Sequence, residues 1–280
     1  MKFKDFPEAV INENVDYTVR EITNVIKRYG PRESGNKNCF ATQKHIKKEM
    51  DTFCDETGFE TYKVAPKAFL QWTKFVAAAI FLSVVVCLVL VYTNVFSGVG
   101  GNDFFVPQCI VGGVVAVGLF ITVMEFLLYK QFVDVFYKKT EGHNFYAKRA
   151  PKGEVKRRII ISGHCDAAYE WRHIYYTKKL HMPHLMGWTI GGAVISVIVA
   201  VITIIANFVN MGAFGDFMLN YSYYFHCLMA LGMVPLFLFV DFKTLSPGAN
   251  DNLTGTYAAV CAMRMLDMAG VELENTELVA

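Results

Sequence analysis

The sequence predicts an α/β sandwich that is interrupted by two membrane-spanning helical hairpins. Hydrophobic residues make up 54% of the 280 residues and charged residues only 19%, which is too apolar for an ordinary soluble domain of this length. The apolar residues are concentrated in four long runs. The sequence outside these runs alternates between helical and strand patterns, which favours an α/β domain.

The four apolar runs are long enough to cross a bilayer core of about 30 Å, which takes about 20 helical residues. They cover residues 75–96, 105–128, 185–209 and 217–240. Buried helices of a soluble core are the alternative, but such helices rarely lack charge on every face. We therefore expect four spans, arranged as two hairpins.

The 27 Lys and Arg residues predict the orientation of these spans. All of them lie before residue 75, between 130 and 179, or after 241, and the short connections 94–104 and 210–216 contain none. By the positive-inside rule, both termini and the central loop are expected in the cytoplasm. The seven scattered cysteines suggest no disulfide framework, which fits a reducing compartment.

The spans divide the chain into three soluble segments and two membrane segments. Each hairpin returns the chain to the side of the membrane that it left, so we expect the soluble segments to form one domain. The predicted boundaries are 1–74, 130–183 and 242–280 for the three parts of this domain, 75–129 for the first transmembrane hairpin and 184–241 for the second.

Local patterns place the elements of the soluble domain. Val15, Val19, Ile22, Val25 and Ile26 repeat at helical spacing within residues 14–29. A second helix is expected to run to about residue 54, with Ser34 as its N-cap. A third helix is expected at 254–268, and strands are expected at 59–64, 144–148, 158–162 and from 277.

The first segment with chemical character follows the third predicted strand. The β-branched run at residues 159–161 is typical of a strand buried on both faces. His164 comes just after this run, where α/β proteins commonly place ligands and catalytic groups. Asp166 could turn back to the imidazole, fix its tautomer and raise its basicity toward a metal. Alone, this His-x-Asp spacing is a weak signal.

The second segment lies at the start of the third predicted helix. Pro247 and Gly248 form a turn, and Asn250, Asp251 and Asn252 follow it. Asn252 is placed to cap the helix, which leaves the Asp251 carboxylate free for another partner. Such a carboxylate can bridge two divalent ions about 3.5–4 Å apart, as two-metal hydrolases require.

Five segments in chain order together resemble one family of hydrolases. They are Gly30-Pro-Arg-Glu-Ser-Gly-Asn36, Gly142-His-Asn-Phe-Tyr-Ala147, Ile161-Ser-Gly-His-Cys-Asp166, Gly248-Ala-Asn-Asp-Asn252 and Glu274-Asn-Thr-Glu-Leu-Val-Ala280. The family is the zinc metallopeptidases of family twenty-eight, which includes leucyl aminopeptidases, aminopeptidase Y and glutamate carboxypeptidases. The matches cover nearly all of the sequence outside the apolar runs.

The resemblance implies a zinc-exopeptidase-like mixed-sheet sandwich and a site with two zinc ions. His164 would bind one zinc, Asp166 would orient His164, and Asp251 would bridge both ions. The peptide bond between Asp251 and Asn252 would be cis, as in relatives. In the family, a glutamate acts as general base toward a metal-activated water.

The sequence supplies only part of the site that the resemblance implies. His164 and Asp251 are two of five expected ligands, and the general-base glutamate would follow the strand that starts near Glu277. We expect the chain to be the N-terminal part of a longer enzyme, with a C-terminally incomplete fold and no activity alone. A decayed or incomplete reading frame is the alternative.

The predicted function is therefore a membrane-embedded zinc exopeptidase, and a non-catalytic membrane protein with a peptidase-like scaffold is the alternative. The expected partners are a peptide substrate and the lipid bilayer. No nucleic-acid partner is expected, because the basic loop at 130–179 is better explained as a membrane-orientation signal. The choice between aminopeptidase and carboxypeptidase stays open, as does the oligomeric state.

Four further polar residues are candidates of a weaker kind. His181 and His184 have a spacing that could ligate a metal, but a polar pair at the mouth of a span is the better interpretation. His226 and Glu125 are ionisable groups in predicted spans and are therefore functional candidates by default. Both lie near predicted span ends, where snorkelling or capping explains them equally well.

Overall fold

The computed structural model describes residues 6–280. The chain forms two compact units. We call the first the α/β unit, which comprises residues up to Pro66, Lys138–Glu170 and Lys243–Ala280. The second, which we call the helical unit, comprises Lys67–Tyr137 and Trp171–Phe242.

The α/β unit consists of three helices and the strands of a mixed sheet. Its elements are α1 Glu8–Tyr29, α2 Lys37–Met50, β1 Glu56–Val64, β2 Thr140–Arg149, β3 Arg157–Ile160, β4 Tyr169–Glu170, α9 Thr254–Met268 and β6 Thr276–Val279, with β5 Asp241–Leu245 at the unit's boundary. Four of the strands form one sheet in the order β1-β2-β6-β3. β1 and β2 form a long antiparallel pair, β2 and β6 pair antiparallel, and β3 and β6 pair parallel. The predicted mixed α/β class is confirmed.

One hydrophobic core joins helices α1, α2 and α9 to the sheet. Buried tyrosine, aliphatic and sulfur-containing side chains fill it, and burial of such groups is the main stabilising term of a fold. Its buried members are Tyr17, Val25, Cys39, Ile46, Met50, Ala147, Cys165, Leu253, Tyr257, Val260, Met263 and Leu278. Cys165, between His164 and Asp166, belongs to this core, so the predicted site segment is fixed to it.

Helix α1 has the predicted helical period but buries an unexpected face. Val15 and Val19 are exposed, whereas Tyr17, Glu21 and Val25 are buried. The reason is that α1 packs against both α9 and α2, and the buried positions, spaced by four residues, include Glu21, which meets His45 of α2. Helix α2 is capped by Asn36, whose side chain accepts a hydrogen bond from the Cys39 backbone N–H at 2.8 Å, and not by Ser34 as predicted.

Strand β3 is not buried on both faces, and this prediction is wrong. Ile159 is 44% exposed and Ile160 is 69% exposed. β3 is the last strand of the sheet and pairs with β6 alone, so among residues 6–280 nothing covers its outer side. The β-branched run correctly predicts a strand but not its place in the sheet.

The helical unit contains three helices that are long and apolar enough to span a membrane. They cover Ala68–Tyr92, Phe105–Leu127 and Pro183–Phe208. Its helices are α3 Ala68–Tyr92, α4 Phe105–Thr122, α5 Arg172–Thr177, α6 Gly192–Phe208, α7 Gly212–Tyr221 and α8 Tyr223–Leu231; π-helical turns at Val123–Leu127 and Pro183–Gly191 continue α4 and precede α6. The first of these helices begins at Ala68, seven residues before the predicted start at residue 75. The helix includes Lys74, which the prediction placed outside the apolar run.

The fourth predicted span, at residues 217–240, is broken. The chain there forms two helical pieces, Gly212–Tyr221 and Tyr223–Leu238, with a 45° bend between them. Ser222 lies at the bend, and its hydroxyl donates to the Met218 carbonyl at 2.5 Å. Such a bond from a serine to the preceding turn bends helices. The unit has four spans only if this bent pair crosses as one.

Candidate functional site

A cleft of about 410 Å³ opens beside the ends of strands β3 and β6. Because the two strands are parallel, with Ile160 opposite Val279, their carboxyl ends meet at one edge of the sheet. The backbone of Ile161 continues this pairing by donating to Val279 O at 2.8 Å. His164, Asp166 and Ala280 all line the cleft. This edge is where open α/β sheets bind their ligands.

His164 is held between two carboxylates at the mouth of this cleft. Its Nδ1 lies 3.0 Å from Asp166 Oδ1, and its Nε2 lies 3.2 Å from Asp251 Oδ1. The expected proximity of His164 and Asp251 is confirmed. The His164 side chain is 54% exposed and that of Asp251 is 72% exposed, so both groups are accessible to a ligand from solvent.

The turn that carries Asp251 has the local geometry the sequence predicts. Gly248 has φ +62°, a left-handed conformation that glycine adopts without steric cost. The peptide bond between Asp251 and Asn252 is cis, as the resemblance implied. Asn252 accepts a hydrogen bond from the Gly255 backbone N–H at 3.0 Å and so caps α9. Asp251 is left to face His164.

Arg32 links the two site segments, and the sequence reasoning missed this role. Its guanidinium is fully buried and donates to the carbonyl oxygens of Cys165 at 2.8 Å and Pro247 at 2.9 Å. Its own carbonyl accepts from Ala167 N at 2.7 Å. Burial lowers the pKa of Arg32 from its ordinary value. Its one sequence signal was its place in the Gly30–Asn36 segment.

Gly163 permits a close approach between the end of β3 and the start of α9. A Cβ atom at this position would lie 2.4 Å from both the Gly255 carbonyl carbon and the Thr256 nitrogen. These are backbone atoms, so the clash could be relieved only by separating the two elements. Since His164 and Asp251 are attached to these elements, the glycine contact sets the distance between them.

The residues present fit zinc as two ligands of one ion. Asp166 is placed to accept from Nδ1–H, which turns the Nε2 lone pair toward Asp251. Two ligand atoms bound at about 2.0–2.1 Å with tetrahedral angles lie about 3.3 Å apart, close to the observed separation of 3.2 Å. A complete site needs about four ligands per ion, so further donors are required.

A different group of side chains in the α/β unit could also hold a metal ion. It consists of Glu21, His45 and Glu49, whose candidate ligand atoms all lie within 4.8 Å of one another. Sequence reasoning did not find it, because the residues lie on two helices and no local pattern shows that those helices meet. Among residues 6–280, no other three histidine, cysteine, aspartate or glutamate side chains bring their ligand atoms this close together.

The weaker candidates in the helical unit engage other protein groups. His226 is fully buried, with Nδ1 2.5 Å from Ser196 Oγ and Nε2 2.6 Å from Gln108 Oε1. Glu125 is buried and accepts from the Val133 backbone N–H at 2.8 Å. Snorkelling therefore does not explain either residue.

His181 and His184 belong to a chain of three imidazoles with His173. His173 Nδ1 lies 2.6 Å from His181 Nδ1, and its Nε2 lies 2.9 Å from His184 Nδ1. Burial lowers the pKa of His173 to about 4, so this ring is neutral at pH 7. His181 and His184 each use Nδ1 but contact opposite nitrogens of the His173 ring, so the three rings do not converge on one ion. This arrangement favours the predicted polar contact.

Comparison of this chain with protein-family models, curated proteins and solved structures found no match. The resemblance of its motifs to zinc metallopeptidases therefore stays a prediction. The geometry of the cleft is what bears on function.

Proposed function

We propose that this chain carries the first part of a membrane-embedded, zinc-dependent exopeptidase that is aminopeptidase-like. The observation that carries the proposal is the placement of His164 between Asp166 at Nδ1 and Asp251 at Nε2, at the mouth of an open cleft. A histidine with a carboxylate on one nitrogen and a ligand position on the other is the common arrangement at zinc.

Each of the three side chains has a stated role in this proposal. His164 would hold a zinc ion through Nε2, and Asp166 would hold the ring and its tautomer by accepting from Nδ1–H. Asp251 would hold the same ion and, through its second oxygen, a neighbouring one. Bound zinc would supply Lewis acidity, which lowers the pKa of water and polarises a peptide carbonyl.

The direction of β6 supports the expected source of the other ligands. β6 runs parallel to β3 and ends beside His164, and Ala280 lines the same cleft. Residues that continue β6 would enter the cleft at the position where the resemblance implies the general-base glutamate and a zinc-ligand glutamate. Reading the coding sequence beyond codon 280 tests this: a Glu-Glu pair should follow shortly, with a histidine further on.

Zinc binding by the chain itself tests the ligand roles. The detergent-solubilised chain, stripped with a chelator, is titrated with Zn²⁺ and compared with His164→Ala and Asp251→Asn. Loss of a binding event in both variants is expected. His143→Ala is the matched control, because His143 lines the same cleft but contacts Thr61 and Glu141 rather than Asp251.

The alternative, a non-catalytic membrane protein with a peptidase-like scaffold, makes the opposite prediction. Unchanged zinc affinity in His164→Ala and Asp251→Asn would contradict the exopeptidase proposal and favour this alternative. A reading frame that closes directly after codon 280 would favour it as well.

The membrane topology of the proposal has its own test. We propose four spans, with the bent pair crossing once and with both termini and the α/β unit in the cytoplasm. A compartment-sensitive reporter inserted after Asp103 should report the outside, and one inserted after Lys152 should report the inside. Two reporters on the same side would contradict the hairpin arrangement.

A further inference from the structure

We propose that Glu21, His45 and Glu49 form a second metal site, which binds one Zn²⁺ ion between helices α1 and α2 and stabilises the α/β unit. This site goes beyond the exopeptidase proposal and does not depend on it. Its ligands are a carboxylate from α1 and an imidazole and a carboxylate from α2.

The spacing of the ligands along the chain suits a shared ion. His45 and Glu49 are four residues apart on α2, so they lie on the same face of the helix. Glu21 approaches from α1, and its Oε2 lies 3.3 Å from His45 Nε2. That distance equals the separation of about 3.3 Å between two ligand atoms bound tetrahedrally at about 2.0–2.1 Å.

One oxygen atom of the cluster itself lacks a hydrogen-bond partner. Glu49 Oε2 is buried, and among residues 6–280 no donor reaches it with hydrogen-bonding geometry. Buried polar atoms in native proteins are nearly always satisfied, and a cation held by Glu21, His45 and Glu49 would satisfy this one.

An ion pair between protonated His45 and Glu21 explains less of the geometry. Such a pair would satisfy these two side chains but would not supply a partner for Glu49 Oε2. Arg20 and Asn24 already bond the other oxygen of Glu21, Oε1, each at 3.2 Å. A divalent cation would balance both carboxylates at once, and a nitrogen and oxygen ligand set without thiolate suits zinc.

The test uses the full chain in detergent with the cleft site disabled by His164→Ala. After treatment with a chelator, Zn²⁺ is added and both the bound zinc per chain and the unfolding temperature are measured. We expect one bound ion and a rise in unfolding temperature. Glu49→Gln and His45→Gln, each added to His164→Ala, should lower zinc affinity at least tenfold and abolish that rise.

A control variant and a spectroscopic measurement separate the loss of a zinc ligand from damage to the fold. Glu13→Gln removes a carboxylate from the same helix α1, where Glu13 pairs with Arg264 at 2.6 Å, and should leave zinc binding unchanged. X-ray absorption of the zinc-loaded His164→Ala protein should show one imidazole and oxygen ligands, which requires no variant of the site itself.

Wild-type zinc affinity in both Glu49→Gln and His45→Gln would overturn the proposal. So would a zinc-free His164→Ala protein that Zn²⁺ does not stabilise. These outcomes are distinguishable from failure of the exopeptidase proposal, because that proposal concerns the ion lost in His164→Ala and this one concerns the ion that remains.

Discussion

Two histidines, one in each unit, show how the surroundings decide what the same side chain can do. His164 in the α/β unit and His226 in the helical unit each have both ring nitrogens engaged. The partners of His164 are two carboxylates, and its side chain is 54% exposed. The partners of His226 are the neutral side chains of Ser196 and Gln108, and it is fully buried.

The difference lies in what each arrangement leaves available. His164 and Asp251 present a lone pair and a negative charge to solvent, which is a binding position for a cation. The network around His226 is closed, since Gln108 Nε2 donates to Ser222 Oγ at 2.8 Å and Ser222 also meets Thr203 at 2.9 Å. A closed network of buried hydrogen bonds orders helices against one another. The first histidine is suited to binding and the second to structure.

The largest loss of stability is expected from Arg32→Ala. This variant tests whether the exposed site at His164 and Asp251 depends on the buried guanidinium of Arg32. The change removes the donors to the Cys165 and Pro247 carbonyls and should lower the free energy of unfolding by about 3–5 kcal/mol. Urea unfolding of the α/β unit, followed by hydrogen exchange, measures this. Arg20→Ala, at an exposed arginine, should cost less than about 1 kcal/mol; equal costs would contradict the proposed link.

His226→Ala should separate the two histidines directly. It opens a cavity and leaves Ser196 and Gln108 without their shared partner, so we expect a loss of about 3 kcal/mol in the helical unit. His164→Ala should change stability by less than about 1 kcal/mol, because the residue is largely exposed. Thermal unfolding in detergent compares the variants, and a reversed order of the two losses would break the comparison.

Asp166→Asn sharpens the role of the exposed histidine. Asparagine fits the same space but is a weaker acceptor for Nδ1–H, so zinc affinity at His164 should fall by about 10–100-fold while the unfolding temperature stays the same. Competition with a chelating dye gives the affinity. Asp267→Asn, on α9 and outside the cleft, is the control; an equal loss there would exclude a specific role for Asp166.

The smallest loss of stability is expected at an exposed ion pair that belongs to no proposed site. It shows how much a surface charge pair contributes to the free energy of unfolding. Lys47 Nζ lies 2.8 Å from Asp51, and bonds from Lys47 and then Thr57 lower the pKa of Asp51 below 3.8. A lowered pKa stabilises the folded state above pH 3.8 and ceases to do so as the pH falls through the lowered value.

Asp51→Asn should therefore cost less than about 1 kcal/mol at pH 7, and the difference from the unaltered chain should vanish in acid. Unfolding by urea at a series of pH values measures it. A cost that is the same at pH 7 and in acid would show that the carboxylate charge is not responsible.

The sequence predicted the elements well wherever one local pattern sufficed. Strand β1, strand β2 and helix α9 lie where their patterns place them, because side-chain periodicity and turn residues act over a few positions. The same holds for Asn252 as the cap of α9 and for His164 just after β3. These features need no knowledge of distant contacts.

The failed predictions share a dependence on long-range packing. The exposure of Ile159 and Ile160 follows from the position of β3 at the end of the sheet, which no pattern in the strand records. The contact between Glu21 and His45 follows from how α1 packs against α2. The bend at Ser222 follows from one side-chain bond to the preceding turn, which average hydropathy over the span conceals.

The sequence by itself determined the three long apolar helices, the order of helices and strands, and the two segments that carry His164 and Asp251. These features depend on composition and on local spacing, which can be read from the sequence without knowing any distant contact. Tertiary structure alone decided that His164 and Asp251, which are 87 residues apart in the chain, lie with Nε2 and Oδ1 3.2 Å apart. It also decided that Arg32 and Gly163 fix that distance, and that Glu21 meets His45 and Glu49. The physical reason is that such contacts are set by the packing of whole elements, where one buried guanidinium or one missing Cβ determines which surfaces meet.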